Sequence, residues 1–288
     1  MFNNGKELLK LCKEQNKKIY EIVILKECSS SNISGEELKN EMKKILNIMI
    51  SSSSSGLNKK INSISGLTGG YAKKVEEYKN AGKTICGDTI ISAMARALST
   101  SEVNASMGQI VAAPTAGASG ILPGAIITVK EKFNLKEEDM INGLFTAAGI
   151  GEIIAKNATI SGAYGGCQAE CGTASAMAGA GIVEMLGGTP QQCLNAASFS
   201  LINVMGLVCD PIAGLVEFPC IIRNASGVIN ALLSADLSLS GVDCIVPFDE
   251  VVDAMYKVGR ELPTSLKETA LGGLAATPTG EELKRRLL

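Results

Sequence analysis

The chain has 288 residues and a formal net charge of −2, which is long enough to bury a core and carries no basic surplus for nucleic acid or an anionic membrane surface. Tryptophan is absent and aromatic residues make up only 4%, so base-stacking platforms are also excluded. Histidine is absent too, which leaves acid–base work to Lys, Asp, Glu, Tyr, a thiolate, water or a second chain.

The first 83 residues are rich in Lys and Glu, and the pattern predicts helices over residues 1–15 and 35–50, the second opened by Asn32, Ile33 and Ser34. The serine run 51–55, followed by Gly56, reads as a loop or flexible connector. Beyond Lys83 the composition changes. From Val103 to Val216 charges are sparse and small residues dominate, as expected of helices packed closely at a centre. Residues 105–129 and 185–209 carry no charge, but Gly, Pro, Ser and Thr in the first and Gln and Asn in the second argue against a lipid-facing span. Ala113–Pro114–Thr115, Gly187–Gly188 and Cys209–Asp210–Pro211 break helices, Thr189–Pro190 restarts one, and Pro247 precedes another over 249–260. Residues 271–288 begin as a Gly-rich loop and end in a short basic helix. Alternating strand patterns are scarce. The expected fold is all-α, with central small-residue-rich helices surrounded by amphipathic outer ones. The expected organisation is one catalytic domain over 1–288, with 1–55 as a charged helical N-terminal region.

The nine cysteines are Cys12, Cys28, Cys86, Cys167, Cys171, Cys193, Cys209, Cys220 and Cys244. An odd number, and a start that does not read as a secretory signal, point to reduced thiols in the cytoplasm. Cys167 follows Gly166 near a helix start, Cys209 in Val208–Cys209–Asp210–Pro211 reads as just past a helix end, and Cys220 follows Pro219; at such boundaries free backbone N–H groups can bond sulfur. Cys171 lies four residues after Cys167, so the two thiols can share a helix face. Spacing alone leaves both zinc and iron–sulfur open. Cys12, Cys28, Cys86, Cys193 and Cys244 read as small core hydrophobes.

Five segments together resemble the iron–sulfur L-serine dehydratases: SGLTGGYA at 65–72, EVNASMGQIVAAPTAGASGILPGA at 102–125, KNATISGAYGGCQAE at 156–170, GLVCDPIAGLVEFPCIIRNA at 206–225 and ETALGGLAATPTG at 268–280. The resemblance implies an L-serine ammonia-lyase that forms pyruvate and ammonia. It also implies a [4Fe–4S] cluster acting as Lewis acid, with Cys167, Cys209 and Cys220 as ligands and Cys171 set aside. Single-chain members end in a further cysteine, which the ending ETALGGLAATPTGEELKRRLL lacks. It is therefore similar to the α chain of the two-chain form, whose separate β chain would bring the missing histidine. L-cysteine desulfidase and L-threonine dehydratase are the neighbouring readings, sharing the same leaving-group chemistry. A pyridoxal-phosphate enzyme would need a strand, Gly-rich loop and helix that are not found. A transcriptional sensor would need a DNA-binding signature.

Substrate anchors are expected in the turns Thr68–Gly69–Gly70 and Pro114–Thr115–Ala116–Gly117, whose N–H groups can face an anion. Asn104, Asn157, Arg223 and Asn224 are further polar anchors within small-residue segments. Lys156 would serve as base if desolvated.

Overall fold

The computed structural model describes residues 1–288 and contains thirteen α-helices and no strand, only two isolated bridges. Three helices open the chain: α1 (Gly5–Gln15), α2 (Ile19–Ser31) and α3 (Gly35–Ser55). Asn4 caps α1 by accepting from the Glu7 amide, and Ser34 with Glu37 forms a reciprocal capping box on α3. Asn16 and Asn32 end α1 and α2 in left-handed conformation, a role asparagine fills at little steric cost.

Next come α4 (Tyr71–Asn80), α5 (Gly87–Ala105), α6 (Ile121–Phe133), α7 (Glu137–Asn157), the single turn α8 (Gly162–Gly165) and α9 (Thr173–Met185). The chain finishes with α10 (Pro190–Ile202), α11 (Cys220–Leu239), α12 (Phe248–Glu261) and α13 (Pro278–Leu287). Every residue of α9, TASAMAGAGIVEM, is buried, and α6, α7, α10 and α11 pack around it. The outer α12 is amphipathic instead, burying Val251, Val252, Met255 and Gly259 along one face. The expected arrangement of small central and amphipathic outer helices is therefore the observed one. One cluster of 48 buried residues runs from Phe2 to Met255, so α1–α3 add Phe2, Leu8, Ile19, Leu46 and Met49 to the same core. No helix is long and apolar enough to cross a membrane.

The centre depends on small residues because the backbones touch. A Cβ on Gly181 of α9 would lie 2.9 Å from the Gly143 carbonyl of α7, and one on Gly143 would lie 2.9 Å from the Gly181 carbonyl. Alanine would add about 1 kcal/mol of helix propensity. Overpacking against immobile backbone costs roughly 1–3 kcal/mol and outweighs it. Gly181→Ala should therefore lower the thermal midpoint of the purified protein; a rise would show that the two helices can separate freely.

Two local expectations are corrected. The serine run 51–55 is not a loop but the last turn and a half of α3. Its hydroxyls fold back onto the helix, Ser54 onto the Ile50 carbonyl at 2.7 Å and Ser55 onto that of Ser51 at 2.7 Å. Ser99 of α5 secures the end, donating to the Ser52 carbonyl and accepting from the Gly56 amide. Helix α2 also goes beyond the two N-terminal helices expected. Its apolar residues are not confined to one stripe, and burial of Ile19, Ile22 and Val23 decides its place.

Candidate metal centre

The Cys167 turn is an unusual piece of helix. Gly166, with φ 75°, turns the chain after α8, and Gln168–Gly172 then form a π-helical turn leading into α9. Such turns recur at functional sites. Gln168, fully buried, holds this one in place. Its Nε2 donates to the Gly165 and Met255 carbonyls, and its Oε1 accepts from the Gly206 amide at 2.8 Å. Its own amide donates to the Leu207 carbonyl at 3.0 Å, which ties the Cys167 turn to the segment approaching Cys209.

Cys209 lies well past the end of α10, not directly at it, in an extended segment paired with 266–268. Its amide donates to Leu266 at 2.9 Å and its carbonyl accepts from Glu268 at 2.7 Å. Asp210 next to it accepts from the Leu274 amide at 2.7 Å, so the 268–280 tail is seated here. Cys220 is the first residue of α11, after Pro219.

These elements bring the Cys167 and Cys209 sulfurs and a Glu170 carboxylate oxygen within 4.8 Å of one another, a group able to hold a metal ion. Both cysteines are 2% exposed, whereas Glu170 stays partly open. Cys220 stands outside this tight group but is coupled to it. Burial, then the charge at Cys167, pushes its thiol up to about 12. Cys171 lies 3.6 Å from Cys167, sulfur to sulfur, and is completely buried. The neighbouring Cys171 and Cys209 thiols, helped by the Arg223 charge, hold Cys167 well below the ordinary thiol value against the effect of burial. The proximity of Cys167 and burial push the Cys171 and Cys209 thiols up in turn, and the Cys209 thiol lies 4.0 Å from Glu170 Oε2 as its donor. Burial and the Cys167 charge push the Glu170 carboxyl up to about 7.

The wall facing the group is a glycine. A Cβ on Gly162 would stand 2.6 Å from Glu170 Oε2 and 2.9 Å from Cys209 Sγ, so this backbone packs directly against both atoms and any side chain there would displace them. A cavity of about 440 Å³ borders Cys171 and Arg223 from the side of residues 203–207.

Among the expected anchors, Thr115 is part of the group, its hydroxyl donating to Glu170 Oε1 at 2.9 Å. Arg223 is a bracket: it donates to the Val208 carbonyl at 2.9 Å and to Asp210 Oδ1 at 2.7 Å, and its charge is felt at Cys167. From α11 it thereby holds both flanks of Cys209. Thr68 donates to Glu217, as does Ser65 at 2.9 Å. Behind Gly69 the Tyr71 amide is already taken, donating to Glu102 Oε1, while Glu102 Oε2 is buried without a partner. The Gly70 amide donates to Ile61, and Gly69 pairs with Asn62.

The remaining expectations are not brought to the sulfurs. Asn224 spends its amide on the Gly117 and Cys220 carbonyls and the Gly120 amide, fastening that loop to α11. Asn157 donates to Asn3 and Ile153, and Asn104 holds the Met107 amide through its carbonyl. Lys156 pairs with Glu152 at 2.7 Å on the surface, and this hydrogen bond raises its pKa. The desolvation a lysine base requires is absent. Glu170 went unassigned in sequence; its one signal was a place three residues past Cys167.

A family model described as "Serine dehydratase alpha chain" matches residues 14–275. The chain belongs to that family. Members resemble it along its whole length: "L-serine dehydratase, alpha chain" of Peptoniphilus asaccharolyticus is 52% identical, covering 100% of this chain and 99% of the relative. "Probable L-serine dehydratase, alpha chain" of Bacillus subtilis (strain 168) is 49% identical, over 100% and 95%. The longer "L-serine dehydratase" of Helicobacter pylori (strain ATCC 700392 / 26695) is 38% identical, with 96% of this chain covering 62% of that one.

Proposed function

We propose that this chain, with a separate β chain, converts L-serine to pyruvate and ammonia, using a [4Fe–4S] cluster held by Cys167, Cys209 and Cys220. The observation that carries the reading is the meeting of two buried sulfurs and a carboxylate in a member of this family. The donor set fits an iron–sulfur group: free sulfur ligands in a buried setting. The words "alpha chain" in the family's description support the second chain.

When bound, the cluster would supply a Lewis acid that draws charge from the departing serine hydroxyl. The chain's residues have other tasks. Cys167, Cys209 and Cys220 would bind as thiolates, so loading would release protons. Arg223 and Gln168 keep the Cys209 segment against the Cys167 turn. Glu170 and Thr115 face the same space with a carboxylate and a hydroxyl. No histidine is present and Lys156 is paired with Glu152 on the surface; our reading takes the base for the α-proton from the β chain. Loss of that proton and the hydroxyl leaves aminoacrylate, whose tautomer hydrolyses to pyruvate and ammonia. Reduced thiols, which this chemistry requires, support a cytoplasmic location for the enzyme.

The test is anaerobic reconstitution, iron and sulfide analysis, and turnover of serine, threonine and cysteine side by side, with and without the β chain. Serine turnover that needs both iron–sulfide loading and the β chain is expected. Preferred release of sulfide from cysteine would replace this reading with a desulfidase.

A further inference from the structure

The loops around the metal group carry apolar side chains that nothing in this chain covers. Ile64, Met107, Tyr164 and Leu271 are each 67% exposed or more, and Val216 and Leu274 are exposed beside them. Their segments touch one another around the site. The Ile64 amide donates to the Ala105 carbonyl at 3.0 Å, just before Met107, and the next residue, Ser65, donates to Glu217. A Cβ on Gly117 would touch both Val216 and Glu170. Tyr164 belongs to the turn whose Gly162 lies against Glu170 and Cys209, and the 268–274 tail donates amides to the Cys209 carbonyl and the Asp210 carboxylate. Backbone strain gathers in the same loops. Of the seven non-glycine residues with positive φ, three are asparagines that end α1, α2 and α6; the other four, Met107, Ala213, Glu268 and Ala270, all lie here. Large apolar groups displayed together on one face mark a surface that another chain covers.

We propose that this face is the docking surface for the β chain, which closes over the metal group with an apolar patch of its own. This rests on the functional reading above, whose base has to reach the metal group from outside this chain. The longer Helicobacter pylori relative supports it: this chain matches 62% of that protein, which therefore carries a further portion on the same polypeptide, held beside this domain by a covalent link. A second apolar face exists, where Ile85, Phe133 and Leu233 are exposed around a cavity of about 390 Å³ between α5, α6 and α11. The lining of that cavity includes neither a residue of the metal group nor one of the loops around it, so a chain seated there would bring its groups to no reacting centre.

The experiment uses the full chain and the purified β chain. Hydrogen exchange with and without β should show protection over residues 61–66, 105–109, 213–217 and 268–274. Met107→Asp and Leu271→Asp each place a charge on the exposed face, and aspartate accepts positive φ more readily than methionine, so residue 107 keeps its backbone. Each should weaken β binding in calorimetry about 10- to 100-fold and leave the thermal midpoint of the free chain unchanged. Phe133→Asp, on the other face, should bind β as the parent does. Protection around Phe133 with weakening by Phe133→Asp overturns the docking surface, as does a Kd unchanged in Met107→Asp and Leu271→Asp. A chain that dimerises by itself, and that Met107→Asp makes monomeric, gives the face to a second copy and overturns the proposal too. Serine turnover by a pair whose β chain docks elsewhere overturns the surface alone. Docking here by a loaded pair inactive on serine overturns the functional reading and leaves the surface standing.

Discussion

A Cys209→Ala protein should purify without the brown chromophore, without stoichiometric sulfide and without serine turnover. The thiol lost is one of two that meet in the tight group, and no spare sulfur stands ready on its segment. Removing Lewis-acid assistance worth several kcal/mol lowers the rate by about 10³-fold or more. The fold should survive the change. Residue 209 is held by its backbone, through Leu266 and Glu268, and losing one buried sulfur costs roughly 1–2 kcal/mol. A near-normal thermal midpoint in the metal-free protein, together with absent iron, is the expected pair of results. Full activity in the variant would remove Cys209 from the site, and the proposed cluster with it.

Arg223→Leu should produce the largest loss of stability at the centre. The side chain is 14% exposed and its partner Asp210 4%, so the pair is largely withdrawn from water. Removing the arginine strands the Asp210 carboxylate, with only the Leu274 amide left to it, and frees the Val208 carbonyl. Breaking such a pair costs about 3–5 kcal/mol. In a protein of this size that lowers the midpoint by roughly 6–15 °C, measured on metal-free protein so that the cluster does not enter. Iron retention should fall as well, since the Cys209 segment loses the bracket joining it to the helix that begins with Cys220. Arg223→Lys should recover only part, because a compact ammonium cannot span the two acceptors as a planar fork does. An unchanged midpoint in Arg223→Leu would show that the bracket bears no strain.

Several features could be read directly from the chain because their causes are local. Ser34 and the Thr189–Pro190 pair open helices through side chains that bond amides three residues away. The sparse charges between Val103 and Val216 marked the buried centre, since an unpaired charge is expelled from such a place. Where local rules were silent, inference went astray. The serine run is intermediate in helix propensity, and the contact with Ser99, 47 residues from Ser52, is what keeps it helical. The glycine turn at 69–70 has the form of an anion site, yet Glu102, 31 residues away from Tyr71, fills it.

What the sequence determined by itself was the chemical inventory: nine thiols, no imidazole, an all-helical pattern with a small-residue centre, and the segments that mark the family. Tertiary structure decided which of those groups meet. It set Glu170 beside two sulfurs, made Arg223 a bracket, used Asn224 to fasten a loop, and left Lys156 paired on the surface. The reason is that a side chain's role depends on which partners lie within about 3 Å of its polar atoms. In this fold those partners come from segments tens of residues apart, beyond the reach of any local pattern.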